Sequence, residues 1–382
     1  MREVAVLGVG MIPFGRFLDR RLTDLGREAC WAAIKDAGIS PKQIEAGYLG
    51  NAMGGPVQGE FGVGQSVFAE VGLQGIPIVN IENACASGST AFREAWMAIA
   101  GGHYDVAIAA GVEKIYTEAG GVLDIGEMEP ELRLGMALPG FFGLMANRYM
   151  AEYGVTAGQI AKVSVKNHSH SVLNPYSQYR KSVTLEEVMD SPMVSDPLTV
   201  LQCCPRADGA AAAILVSADY ARQFTNSPVL VAASVLATGL GDNPSDLIHF
   251  EFNEVAARRA YAQAGLGPKD LDVVELHDCF TIAELNHYET LGFCGRGEGV
   301  KLLEDGVTEL GGRLPVNVSG GLLSRGHPLG ATGIAQIVEI CWHLRGQAGD
   351  RQVEGARVGL THCLGGVKGL EAQAATIHIL KR

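Results

Sequence analysis

A cysteine stands where a β-type run gives way to a helix-type run, in Ile76-Pro77-Ile78-Val79-Asn80-Ile81-Glu82-Asn83-Ala84-Cys85-Ala86-Ser87-Gly88-Ser89-Thr90. The branched residues before Glu82 predict a strand, and Ala91 to Ile99 predicts a helix. Cys85 therefore falls at a strand-to-helix turn, where a helix N-terminus favours the thiolate, the nucleophilic form of cysteine. Three more loops carry reactive types. The Gly- and Ser-rich stretch Asn317 to Gly333 places His327 just before a helix. His277-Asp278-Cys279-Phe280 follows a strand, Val273 to Leu276, and Cys363-Leu364-Gly365-Gly366 follows an apolar strand ending at Leu360. Loops after the carboxyl ends of strands are where open α/β sheets gather ligands. A thiol beside imidazoles and further thiols suits covalent catalysis with proton transfer.

The elements that must position these groups read as one pattern used twice. Ala37 to Asn51 aligns without a gap against Ala264 to Asp278, with Ala-Gly, Pro-Lys and two apolar positions recurring in register. Each copy predicts a helix stopped by Gly, a Pro-containing connection and a strand. A strand lies upstream of each copy, at Val4 to Val9 and at Val229 to Leu236. Downstream come a helix (from Cys85 to Ile99, then Gly326 to Leu344) and another strand (Val106 to Ala110, then Val358 to Thr361). The expectation is an α/β fold of two similar halves packed face to face, residues 1–227 and 228–382. From about 118 to 198 the pattern breaks into a Met-, Phe-, Tyr- and Pro-rich stretch that includes Met128, Pro130, Met136, Phe141 and Phe142. It reads as an inserted loop-and-helix subdomain covering the first half and lending binding function.

Composition narrows the function classes. The chain has 382 residues, 50 glycines and a formal charge of -12, with no basic stripe to track a phosphate backbone, which argues against nucleic acid as partner. There is no apolar run of membrane-spanning length and no signal-type segment before the strand at Val4, so the expectation is a cytoplasmic protein whose eight cysteines are thiols. No cysteine pair has zinc-ligand spacing, and neither a metal nor a bound cofactor is expected. Cys30, Cys294 and Cys341 read as small buried residues, as does the vicinal pair Cys203-Cys204. His103, His249 and His378 read as structural. Gly8-Val9-Gly10 begins like a dinucleotide fingerprint, but the third glycine is missing and Pro13 interrupts the helix that should follow.

The loops together resemble the thiolases, and in particular the sterol-carrier-protein-type branch, in which an HDCF motif stands where other thiolases have NEAF. The similarity rests on the NACASGS loop around Cys85, the HDCF loop at His277, the NVSGG segment leading to GHPLGATG around His327, and the C-terminal CLGG around Cys363. It extends into Lys166-Asn167-His168 and Asp208-Gly209-Ala210-Ala211-Ala212. The resemblance implies a thiolase-like fold and cleavage of a 3-oxoacyl-CoA by CoA, or the reverse Claisen condensation, with coenzyme A as substrate. By similarity Cys85 is the nucleophile that carries the acyl group and His327 helps to deprotonate it. His277 and His327 serve one oxyanion site, and the backbone amides of Cys85 and Gly365 serve the other. Cys363 is the favoured second acid/base and Cys279 the alternative, because the chain keeps both thiols. Ser319 and Gly320 are expected substrate contacts, and His168 is either another or a capping residue of the insert. Lys162, Lys166, Arg180 and Lys181, the basic cluster of the insert, are nominated for the phosphates of CoA.

The same resemblance implies a homodimer, and a small zinc-ribbon and OB-fold subunit that helps to bind acyl-CoA. It also carries an alternative. Relatives in this branch that cleave 3-hydroxyacyl-CoA side chains by retro-aldol chemistry typically lack the nucleophilic cysteine, and this chain retains it. The adaptable apolar insert suits a branched, long or aromatic acyl group, for instance of the benzoylsuccinyl type.

Overall fold

The computed structural model describes residues 1–116, 134–225, 227–239, 246–367 and 371–382. The part of the insert that holds Met128 and Pro130 lies outside them.

The first half runs β1 (Val4–Met11), α1 (Leu22–Ala37), β2 (Ala46–Gly50), α2 (Val63–Ala69), β3 (Ile78–Ile81), α3 (Ser87–Ala100), β4 (Val106–Glu113). The insert follows, with α4 (Leu138–Tyr153) and α5 (Ala157–Ser171), and the half closes with β5 (Gly209–Ser217). The second half runs β6 (Val229–Ala237), α6 (Glu251–Ala264), β7 (Val273–Glu275), α7 (Thr281–Thr290), α8 (Gly321–Arg325), α9 (Leu329–Arg345), β8 (Val358–Gly365), β9 (Ala374–Lys381). The nine strands form one sheet in the order β3-β2-β4-β5-β1-β6-β9-β8-β7.

That order contains the duplication. In the first half β1, β5 and β4 pair antiparallel, and β4, β2 and β3 pair parallel. In the second, β6, β9 and β8 pair antiparallel and β8 and β7 parallel, and a parallel bridge from Val274 to Val316 stands where β3 does. The aligned segments fall at matching places, with Gly38 and Gly265 capping α1 and α6 at φ 67° and 68°. These left-handed caps are what made the repeat visible, since glycine enters that region without a Cβ clash. The halves are joined edge to edge through the antiparallel β1–β6 pair, as well as through α3 and α9, which pack against each other. We propose the division between them at 227/228.

The glycines of Gly8-Val9-Gly10, set aside on sequence as a dinucleotide fingerprint, serve packing, because a Cβ at either would overlap the Ala32–Ala37 segment of α1 lying on β1. One expectation changes. The described part of the insert covers the second half more than the first: Phe141, Phe142, Met145, Tyr149, Ile160 and Val163 share one core with Phe250, Leu276, Phe280, Tyr288 and Leu323. Phe142 stacks on Phe280 with centroids 4.4 Å apart. An apolar stripe in a sequence shows that a face is buried and leaves its partner open; here α7 and its flanking loops offer the matching face.

Candidate active site

The nucleophile loop is held in an uncommon shape. Ala84 has φ 47°, a conformation that residues with a Cβ seldom adopt. The Ser87 hydroxyl donates to the Ala84 carbonyl oxygen at 2.6 Å and accepts from the Asn83 amide at 2.9 Å. Cys85 thereby sits two residues before the start of α3. Its thiol is pushed up to about 12 by burial, while the amides of Gly366 and Cys85 itself pull the other way. The pull of the helix terminus is therefore outweighed, and the thiol needs a base, the part that the resemblance gave to His327.

His327 is built to be that base. Its Nδ1 lies 2.8 Å from the Thr332 hydroxyl, whose own proton goes to the Pro328 carbonyl oxygen at 2.9 Å. The hydroxyl must then accept from Nδ1–H, which leaves Nε2 as an unprotonated lone pair, buried and without a partner among the described residues. Burial lowers the imidazole pKa, so the ring rests neutral. Replacing Thr332 by valine removes the acceptor that fixes this tautomer. We expect the rate of Cys85 acylation to fall about 10- to 100-fold with little change in KM, measured by single-turnover kinetics.

The helix crossing brings the two residues together. A Cβ at Gly88 on α3 would overlap the Gly330 carbonyl of α9, so the two N-termini approach at glycine-only distance. One ligand-type atom from each of Cys85, His277 and His327 lies within 4.8 Å of the others, and the two imidazoles meet edge to face with centroids 5.1 Å apart. The Cys363 thiol donates to the Cys85 carbonyl oxygen at 3.2 Å and lies 3.5 Å from His277 Nδ1. Cys363 is within β8, two residues short of its end, and does not follow the strand as the sequence suggested. Cys279 is buried close enough to Cys85 and Cys363 for their charges to help raise its thiol, after burial itself. Cys363 alone of the two has a directed contact to the nucleophile loop. At Gly365 a Cβ would overlap the Asn83 carbonyl oxygen, and the amide reaching the Cys85 sulfur from this loop is that of Gly366.

Some of the other expected contacts are built into the scaffold. Lys166 is buried in an ion pair with Glu284 at 2.9 Å, and donates to Val316 O at 2.8 Å and Asn167 Oδ1 at 2.6 Å. An ammonium so enclosed is not placed for a phosphate, which corrects the sequence expectation. Ser319 is fully buried, donating to Glu275 at 2.6 Å and accepting from Asn174 and Ser177, and Gly320 backs onto Ser171. Both hold α8 in place, where binding had been expected. His168 is buried with Nδ1 3.0 Å from Ser164 O. Lys162 pairs with Glu304 at 2.6 Å, Arg180 donates to Val172 O at 3.4 Å and Lys181 lies 3.6 Å from Glu187; all three reach the surface.

One buried carboxyl, Glu113, escaped the sequence reading because nothing local marks it, and a second, Asp278, was read only as a member of the HDCF loop with no role of its own. Glu113, at the end of β4, accepts from Asn51, from the amides of Ala52 and Met53, and from the Gly330 amide at the start of α9. It ties the Cys85 side of the site to the His327 side. Asp278 accepts from Asn167 and from the Leu322 and Leu323 amides of α8, fixing the His277 loop. Burial pushes Glu113 up to about 7 and raises Asp278 as well. A carboxyl raised on folding contributes stability below its ordinary pKa and loses it as pH climbs through the folded value. These two therefore make the protein less stable from pH about 4.5 to about 7, by at most about 3 kcal/mol for Glu113. Denaturant midpoints across that range should show the decline, with a shallower slope for Glu113→Gln.

Among the described residues no helix is long and apolar enough to cross a membrane, and all eight cysteines are free. Residues 4–219 match the model of the thiolase N-terminal domain, and residues 240–382 that of the thiolase C-terminal domain-like family. The chain is 45% identical to an acetyl-CoA acetyltransferase of Methanothermobacter thermautotrophicus, with 100% of both chains covered. It is 42% identical to sterol carrier protein 2 of Bos taurus, over 95% of this chain and 70% of that one. A solved structure described as an Ltp2-ChsH2(DUF35) aldolase superposes with a TM-score of 0.86 at 27% identity, covering 99% of this chain and 97% of that chain.

Proposed function

The chain belongs to the thiolase family and is an acyltransferase enzyme; from that premise we propose that it cleaves a 3-oxoacyl-CoA with CoA, or runs the reverse condensation, through an acyl-Cys85 intermediate. The observation that carries this reading is the convergence of the Cys85 sulfur, two imidazoles and the Cys363 thiol in one cluster.

In the proposed cycle His327 Nε2 takes the Cys85 proton, and the thiolate attacks the 3-oxo carbon. The bond between C2 and C3 then breaks, and Cys363 protonates the departing carbanion. The Cys363 thiolate next accepts the proton of incoming CoA, whose sulfur displaces Cys85 from the acyl group. His277 with His327, and the amides of Cys85 and the 365–366 turn, serve the successive oxyanions. Lys162, Arg180 and Lys181 remain our candidates for the phosphates. We assign the exposed edge strand β3, with Val79 and Asn80 outward, to a second copy of the chain, and the free thiols suit a cytoplasmic setting.

A retro-aldol reading, with a small zinc-ribbon and OB-fold subunit, is favoured by one observation, the superposition on a structure described as an aldolase. The base-equipped Cys85 weighs against it. Intact-mass analysis with peptide mapping after exposure to acetyl-CoA and other acyl-CoAs separates the two. An adduct confined to Cys85 supports acyl transfer. No adduct from any thioester, together with cleavage of a 3-hydroxyacyl-CoA when the candidate partner is added, would move the reading to the aldolase.

A further inference from the structure

The groups around the nucleophile also form a metal-ligand set. Cys85, His277 and His327 each offer an atom within 4.8 Å of the other two. On a tetrahedral zinc ion, sulfur and nitrogen ligands at their usual bond lengths stand roughly 3.3–3.6 Å apart, so side-chain shifts of about 1 Å close the set. The donor states fit. His327 Nδ1–H is committed to Thr332, and its Nε2 lone pair is buried without a partner among the described residues. The Cys363 proton points to the Cys85 carbonyl, so the sulfur faces His277 Nδ1 as an acceptor, which leaves the lone pair on His277 Nε2. Two neutral imidazoles and one thiolate hold Zn²⁺ with a net charge of +1. The soft sulfur selects zinc or cobalt over magnesium or calcium.

We propose that Cys85, His277 and His327 form an inhibitory zinc site with an open fourth position, in which the metal occupies the sulfur that must attack the carbonyl carbon of the substrate. Binding exchanges one proton for the ion: Cys85–SH plus Zn²⁺ gives Cys85–S–Zn⁺ plus H⁺, with no change of oxidation state. Metal binding does not depend on the acyl-transfer reading; the inhibition rests on it.

The test is a titration of Co²⁺ into the chelator-treated full-length protein, read by the thiolate-to-cobalt charge-transfer band. We expect saturation at one equivalent and displacement by Zn²⁺. The band should vanish in Cys85→Ser and in native-sequence protein alkylated at Cys85, the latter guarding against a misfolded variant, and persist in Cys279→Ala. Zinc at about ten times its Kd should slow alkylation of Cys85 by iodoacetamide about ten-fold. Absence of the band with millimolar-range Co²⁺, or its survival in both Cys85-blocked forms, overturns the site. Acylation of Cys85 by acetyl-CoA at an unchanged rate with zinc bound overturns the inhibition. A cobalt band in a protein that forms no acyl adduct keeps the metal site and removes the acyltransferase reading.

Discussion

Replacing Cys85 by alanine should eliminate the acyl adduct and lower turnover by about 10⁴-fold or more, because the rest of the site cannot form the covalent intermediate. The side chain is small and the strained turn is held by Ser87 and Asn83, not by the sulfur. The fold and its melting temperature should therefore change little. Rate measurements with a 3-oxoacyl-CoA, alongside intact mass and circular dichroism, check both halves of the statement. Substantial residual thiolysis in a folded Cys85→Ala protein would move the nucleophile to another of the nearby thiols, Cys279 or Cys363.

The second large effect concerns stability. Lys166→Ala should cost about 3–5 kcal/mol, because it strips the cation from a buried pair and leaves a charge in the interior. The stranded group is Glu284, fully buried, which also accepts from Asn167 and Asn317 at 2.8 and 2.6 Å and from the Tyr288 hydroxyl. Lys166 comes from α5 of the insert while Glu284 and Asn317 belong to the second half, so the loss should loosen the insert from the site it covers. Denaturant unfolding measures the cost. The sequence expectation of a phosphate contact makes the opposite forecast: unchanged stability and a raised KM for CoA.

Lys166 shows why part of the site was illegible. In the sequence it is one of a run of basic residues, and nothing in its neighbours reveals a carboxylate more than a hundred positions later. Ser319 misled in the same way: its Gly-Ser setting looked like a binding loop, whereas the fold buries its hydroxyl on Glu275. Glu113 was overlooked for the converse reason, since an acidic residue ending a strand is unremarkable until Ala52, Met53 and Gly330 aim their amides at it. The insert's Met and Phe residues announced burial without naming α7 as their partner.

The chemistry-bearing types were legible because they are local. A cysteine between a strand and a helix, a histidine before a helix and a Gly-Gly after a thiol declare themselves through neighbours a few residues away. So did the duplication, whose glycine caps and Pro-Lys connections recur in register. The sequence by itself determined the repeated α/β pattern, the strand-to-helix placement of Cys85 and the set of thiols and imidazoles available to it. Tertiary structure alone decided which of them meet. The close crossing of α3 and α9 at Gly88 and Gly330 sets Cys85 beside His327, the Thr332 hydroxyl chooses the imidazole tautomer, and burial opposes the thiolate that the helix terminus favours, so that the thiol depends on that base. Each depends on groups far apart along the chain, and on desolvation, which no single segment can encode.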